Sequence, residues 1–152
     1  MNDTNIKYLK LAIENSKRSM EEGNFPAGAV VVKDDKVIAL EVSSPYPSLF
    51  HADYKAVAEA FKKFGLLTGA TLYVGLQPCL MCTGAIYWSG LRRVVYAVPK
   101  SKVSNSYYET PKDTFELFNT FNEKIEFIHI QELESETLKI MKDWEDKILR
   151  RK

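Results

Sequence analysis

The sequence predicts a layered α/β fold with a mixed five-stranded sheet, and three observations carry that reading. Two short apolar strands are joined at Asp34-Asp35, strand and helix patterns alternate after them, and an amphipathic helix stands at each end. Ile6, Leu9, Ile13 and Met20 fall near helical spacing, with Asp3 or Thr4 able to cap the start and Gly23 able to end the run. Ala29-Val30-Val31-Val32-Lys33 and Lys36-Val37-Ile38-Ala39-Leu40 form the hairpin. Ser43-Ser44-Pro45-Tyr46-Pro47-Ser48 is a loop by composition. A second helix starts at His51, shows Val57, Ala60, Phe61 and Phe64 on its apolar face, and stops at Gly65.

Ala70-Thr71-Leu72-Tyr73-Val74 is the third strand and leads into a helix that ends at Gly90. Arg93 to Val98 is the fourth strand, and Lys124 to Ile130 the fifth. Between them, Ser101 to Asn122 spreads Tyr107, Tyr108, Phe115, Phe118 and Phe121 among polar residues, which suits a loop with a short helix. Leu138, Met141, Trp144 and Ile148 line one face of the closing helix.

The 152 residues suit one domain, 1–152, with a sizeable core. An apolar share of 45% with 27% charged residues is that of a globular chain. A net charge of +1 offers no broad attraction to nucleic acid. No apolar run approaches the roughly 20 residues that span a bilayer, and Met1-Asn2-Asp3-Thr4-Asn5 lacks the pattern of a signal peptide. Two cysteines three positions apart do not make a disulfide framework, so a reducing cytoplasm is the expected setting.

Those two cysteines are the chemical centre of the chain. In Gln77-Pro78-Cys79-Leu80-Met81-Cys82, Pro78 fits the first turn of a helix, where its missing N–H does no harm. Cys79 and Cys82 then project from one face of that helix, whose positive end favours thiolate. His51 supplies an imidazole, and Asp53 lies two residues after it. Two thiolates and one imidazole bind zinc and keep a fourth position open, as in catalytic rather than structural sites. A redox pair loses because nothing around it is thioredoxin-like, and a structural knuckle loses because no third cysteine closes the site. His129 lies in an apolar strand and reads as a satisfied core or pocket histidine.

His51-Ala52-Asp53 with Pro78-Cys79-Leu80-Met81-Cys82 resembles the H-x-E and P-C-x-x-C signature of zinc-dependent base deaminases. The chain is similar to the cytidine deaminase-like superfamily, nearest its guanine deaminase and tRNA adenosine deaminase branch. The match extends through Thr83-Gly84-Ala85-Ile86-Tyr87-Trp88 and reaches back to Gly23-Asn24-Phe25-Pro26-Ala27-Gly28-Ala29. The resemblance implies a three-layer α/β/α sandwich, a zinc ion on His51, Cys79 and Cys82, and a homodimer. It also implies substrate contacts at Phe25, Ala29, Ala52 and Trp88; Trp88 and Tyr87 read equally well as plain core.

The activity implied is hydrolytic deamination of an amino-substituted nucleobase, nucleoside or related heterocycle. Hydroxide from water activated by zinc attacks the amino-bearing ring carbon, and a carboxylate carries the protons. That carboxylate is Asp53, where the family has glutamate. It is one methylene shorter, so it reaches about 1.5 Å less, and a misplacement of about 1 Å costs on the order of 10²-fold in rate. The backbone compensates, the enzyme is slow, or the fold retains only binding. Leu40-Glu41-Val42-Ser43-Ser44 lacks the asparagine, and Ser101 to Ser106 the acid, that many relatives carry in these loops, and Gln77 replaces a common glutamate. Guanine is thereby disfavoured. Arg150-Arg151-Lys152 resembles the basic tails of tRNA-acting relatives, but without a wider basic face a small base or nucleoside ranks above tRNA.

Overall fold

A computed structural model describes residues 3–151. The signal-peptide reading at Met1-Asn2 and the last residue of the basic tail, Lys152, lie outside the described residues. Five helices and five strands follow in the order α1 (Asp3–Glu21), β1 (Gly28–Lys33), β2 (Lys36–Val42), α2 (Ala52–Phe64), β3 (Thr71–Leu76), α3 (Leu80–Ser89), β4 (Arg93–Val98), α4 (Phe115–Phe118), β5 (Glu126–His129) and α5 (Glu134–Lys147). The sheet order is β2-β1-β3-β4-β5. β1 runs antiparallel to β2 and β3, whereas β3, β4 and β5 are mutually parallel, so the sheet is mixed as expected.

Period-two alternation divides the side chains between two layers. Ala29, Val31, Leu72, Val74, Val94 and Tyr96 meet Ala52, Ala56, Ala60 and Ile86 of α2 and α3. Val30, Val32, Tyr73, Val95 and Ala97 meet Tyr8, Leu9, Ala12 and Ile13 of α1. On that same side α5 buries Met141 and Trp144, while Leu138 and Ile148 are half-buried. The hairpin turns on Asp34 and Asp35, both with positive φ (52° and 58°), the backbone a two-residue primed turn demands.

The helices pack by small residues more than the apolar pattern suggests. In α2, Phe61 and Phe64 lie exposed (42% and 54%), and the buried face is Ala52, Ala56, Val57 and Ala60. Alanines four apart let that helix sit close to the sheet, which turns the larger rings outward. In α1, Ile6 and Met20 are only half-buried, while Ser16 and Ser19 are buried. Their hydroxyls bond Ala12 O (3.2 Å) and Phe25 O (2.7 Å), so neither is an unpaired polar group. The fifth strand is shorter than its apolar run, Glu126–His129 rather than Lys124 to Ile130.

The closest approach between α1 and the sheet is at Gly28, where a Cβ would stand 2.4 Å from Asn15 Cβ and 2.6 Å from Ala12 O. Gly28→Ala is therefore expected to destabilise the fold by about 1–3 kcal/mol through overpacking against backbone. Gly84, inside α3, has nothing within 4 Å of its would-be Cβ. Gly84→Ala is expected to stabilise by about 0.5–1 kcal/mol through helix propensity. Urea midpoints of the two variants decide: equal shifts of the same sign contradict the packing account.

Candidate metal centre and its pocket

Two helix beginnings meet beyond the C-terminal ends of the central strands. His51 is the N-cap of α2 (φ −68°, ψ 152°) and Cys79 the N-cap of α3 (φ −74°, ψ 176°). Pro78 thus stands before the cap rather than in the first helical turn. Cys79 Sγ accepts from Cys82 N at 3.5 Å, which holds both sulfurs on the same side of the turn. His51 Nδ1 lies 3.5 Å from Cys79 Sγ and 3.6 Å from Cys82 Sγ. Tetrahedral zinc with its usual bond lengths sets sulfur and nitrogen ligands about 3.6 Å apart. The three donor atoms, all within 4.8 Å of one another, fit zinc.

The electrostatics favour one ionised thiol at the outset. The hydrogen bond from Cys82 brings the Cys79 thiol down to about 7 against the opposing effect of burial, with a further contribution from His51. Cys82 is pushed well up by the same hydrogen bond and by burial. The hydrogen bond to Cys79 raises His51, which burial opposes. Both cysteines are free of disulfide. Asp53 Oδ1 accepts from Cys82 Sγ at 3.0 Å and from Tyr54 N at 3.2 Å, so this carboxylate rests beside the donor set.

The centre opens on a cavity of about 70 Å³. His51, Asp53 and Cys79 line it together with Phe25 and Ala52. Ala29 does not: it is fully buried in the layer facing α2 and α3. Trp88 does not either. It is 79% exposed on the outside of α3, over a shallow depression with Tyr54, Val57, Phe61 and Ala85. Trp88 follows Tyr87, whose ring faces Phe121 and Arg92, so that end of α3 points away from the metal centre. His129 is exposed rather than in the core. Its Nε2 is 2.9 Å from Ala97 O and 2.7 Å from Glu134 Oε2, and its ring stacks on Tyr96.

The sequence reading missed the loop after β4. Lys100 N donates to Gln77 Oε1 (2.9 Å), and Tyr108 OH donates to Gln77 O (2.7 Å). Glu109 accepts from Leu80 N and Met81 N, both at 3.0 Å, and caps α3 with its two oxygens. One loop thus grips the cysteine segment at three points. Lys102 fastens that loop to Glu134, which belongs to α5, at 2.6 Å. Tyr108 and Glu109 were visible in the sequence, but their partners lie about 30 residues upstream, beyond any local pattern.

Burial alone would raise the Glu109 carboxyl, but the N–H bonds from Met81 and Leu80 outweigh it and hold the pKa below the ordinary value. Its capping contribution is therefore full above the unfolded carboxyl's ordinary value and is lost as pH falls through the lower folded value. Glu109→Ala should cost about 0.5–2 kcal/mol at pH 7, the usual cost of a lost cap. In the presence of chelator, the gap from the native chain should shrink on moving from pH 7 towards pH 3.5. A gap that widens with acid contradicts the assignment.

The family model for the cytidine and deoxycytidylate deaminase zinc-binding region matches residues 2–98. The tRNA-specific adenosine deaminase of Bacillus subtilis is 39% identical over 106 residues, covering 65% of this chain and 66% of that protein. A probable cytosine deaminase of Schizosaccharomyces pombe is 32% identical over 101 residues, covering 64% and 62%. The match thus spans less than two thirds of the length of either curated relative. The crystal structure of a diaminohydroxyphosphoribosylaminopyrimidine deaminase/5-amino-6-(5-phosphoribosylamino)uracil reductase from Thermotoga maritima superposes with a TM-score of 0.74. It is 32% identical and covers 98% of this chain and 42% of that one. Its deaminase-like fold, the convergence of His51, Cys79 and Cys82, and the extent of the family match lead to one conclusion: the chain belongs to the zinc-binding cytidine and deoxycytidylate deaminase family.

Proposed function

We propose that the chain, as one domain over 1–152, is a zinc-dependent hydrolase that deaminates an amino-substituted base, nucleoside or related heterocycle. The observation that carries this reading is the donor set His51, Cys79 and Cys82 at tetrahedral spacing, opening on a cavity that also holds the Asp53 carboxylate. Zinc bound there would lower the pKa of water to about 7 and so supply a nucleophile at neutral pH. Asp53 would take a proton from the attacking water and pass it to a ring nitrogen. It would then take a second proton from the hydroxyl added to the ring carbon and give it to the amino group, which leaves as ammonia while that carbon becomes a carbonyl. Phe25 and Ala52 are the wall residues against which the ring would lie. Cys79 and Cys82 are free of disulfide, and a reducing cytoplasm, where both thiols stay available, is the setting that goes with this reading. Among the described residues, no helix is long and apolar enough to cross a membrane. A homodimer belongs to the same proposal, on the sequence resemblance alone.

The position of Asp53 favours a second reading. Its Oδ1 lies 3.0 Å from Cys82 Sγ, beside the donors, and a carboxylate one methylene shorter than glutamate extends less far into the cavity. That arrangement also suits a binding protein that keeps the metal and has lost turnover. The tRNA adenosine deaminase reading draws on the Bacillus relative's name; it requires RNA binding that weakens steeply with salt.

Ammonia release from zinc-loaded protein tests these readings over adenine, guanine, cytosine, pterins, their nucleosides and tRNA. With a substrate found, Asp53→Ala should lower turnover about 10²- to 10⁴-fold, the usual share of a positioned proton carrier. A native protein that is silent while Asp53→Glu turns a substrate over identifies a disabled deaminase. Silence from both sinks the hydrolase reading.

A further inference from the structure

Gln77 sits between the end of β3 at Leu76 and the metal-ligating Cys79. Most of its polar groups are taken by the protein. Its N–H donates to Val98 O (2.9 Å), its carbonyl accepts from Tyr108 OH (2.7 Å), and its Oε1 accepts from Lys100 N (2.9 Å). The last of these bonds settles which way the amide lies. A backbone N–H needs an acceptor, so the amide oxygen faces Lys100 N and the NH2 group takes the other side.

Nε2 thus carries two N–H donors, and among the described residues neither finds an acceptor. It is not a sealed atom, since the enclosed, unpartnered side-chain atoms of the described residues belong to other residues. Solvent must therefore reach it. Gln77 is only 4% exposed, and it lines the cavity that His51, Asp53 and Cys79 share. The cavity is the opening through which solvent reaches this side chain.

A donor fixed in this way makes a demand on any ligand. Water satisfies Nε2 when no ligand is bound. A ligand that displaces that water has to bring an acceptor, or it leaves the donor bare at a cost of about 1–3 kcal/mol. In the proposed reaction the ring nitrogen beside the amino-bearing carbon receives a proton from Asp53, so it turns from acceptor into donor. Nε2 needs an acceptor that persists. An oxo oxygen is one, because it stands about 1.2 Å beyond the ring and offers two lone pairs.

We infer that Gln77 is a specificity-determining residue of this cavity, its Nε2 donating to the oxo oxygen of an amino-oxo heterocycle. The inference rests on the proposed deaminase reading for the choice of acceptor, but its test does not require turnover. Equilibrium dialysis is run on zinc-loaded Asp53→Ala, so that the ligand is not consumed. Cytosine is measured beside 4-aminopyrimidine, and guanine beside 2-aminopurine; the second member of each pair lacks the oxo group. At least one oxo base should bind about tenfold or more tighter than its partner, as a bare donor demands.

Adding Gln77→Glu keeps an oxygen for Lys100 N and removes the donors, so that ratio should fall to about one or reverse. The added charge acts on both members of a pair and cancels in the ratio. Gln77→Met, neutral and without donors, should also bring the ratio to about one, and it serves alone if the glutamate variant does not fold. Equal weakening of both members in folded variants makes Gln77 a structural residue and overturns the inference. So does a native ratio near one, or failure of both oxo bases to bind. A ratio governed by Gln77 in a protein that releases no ammonia leaves the inference standing and removes the deaminase reading instead.

Discussion

Two helix N-termini must meet within a few ångströms for this site to exist, and helix electrostatics oppose it. Each carries roughly half a positive charge, and α2 and α3 bring theirs together at His51 and Cys79. Negative groups between them relieve the repulsion. The thiol of Cys79 takes the N–H of Cys82, Glu109 takes those of Leu80 and Met81, and Asp53 takes that of Tyr54. The same charges that make the convergence tolerable are those that attract a divalent cation. Metal binding and helix capping are therefore one electrostatic arrangement, not two.

The convergence also sets the packing beneath it. α2 can approach the sheet only through a stripe of alanines at 52, 56 and 60, and α1 reaches the opposite face only because Gly28 has no Cβ. Larger side chains would lift either helix by more than the tolerance of a metal site, in which ligand distances are fixed to within about 0.2 Å. Core composition and site geometry are thus coupled through the backbone spacing. The exposed Phe61, Phe64 and Trp88 follow from the same choice, since a helix that buries its small face turns its large one outward.

What could be read beforehand follows the range of the interactions. Strands β1 and β4, the Asp34-Asp35 turn, the stops at Gly65 and Gly90, and the pairing of His51 with Cys79 and Cys82 rest on local pattern or on a motif, and they stand as read. Leu9, Ile13, Val57 and Ala60 are buried as read, but Phe61 and Phe64 are exposed and Ser16 and Ser19 buried, because periodicity scores hydrophobic residues and passes over serine and alanine stripes. Trp88 was assigned towards the pocket on resemblance, whereas the turn of α3 that carries it faces outward. The grip of Lys100, Tyr108 and Glu109 on Gln77–Met81 was illegible, because each bond joins residues 23 to 31 positions apart. No propensity or spacing rule spans such a distance.

On the proposed deaminase reading, the short acid and the aromatic part of the cavity lining act together on a substrate. Asp53 reaches about 1.5 Å less far than glutamate would, so the ring must come closer to the metal centre for a proton to pass. Phe25, Tyr46 and Tyr107, packed on one another and on a buried Trp144, give the cavity that holds Asp53 apolar surface on which a ring could rest. Orientation of that kind can recover much of what a displaced catalytic group loses, since correct placement is worth several kcal/mol of barrier. A bulky or flexible substrate would forfeit it, because part of its contact energy would be spent on atoms remote from Asp53. The glutamate-to-aspartate change and the aromatic lining are therefore mutually consistent: a shortened proton carrier is most useful to a flat ring that its surroundings hold in place.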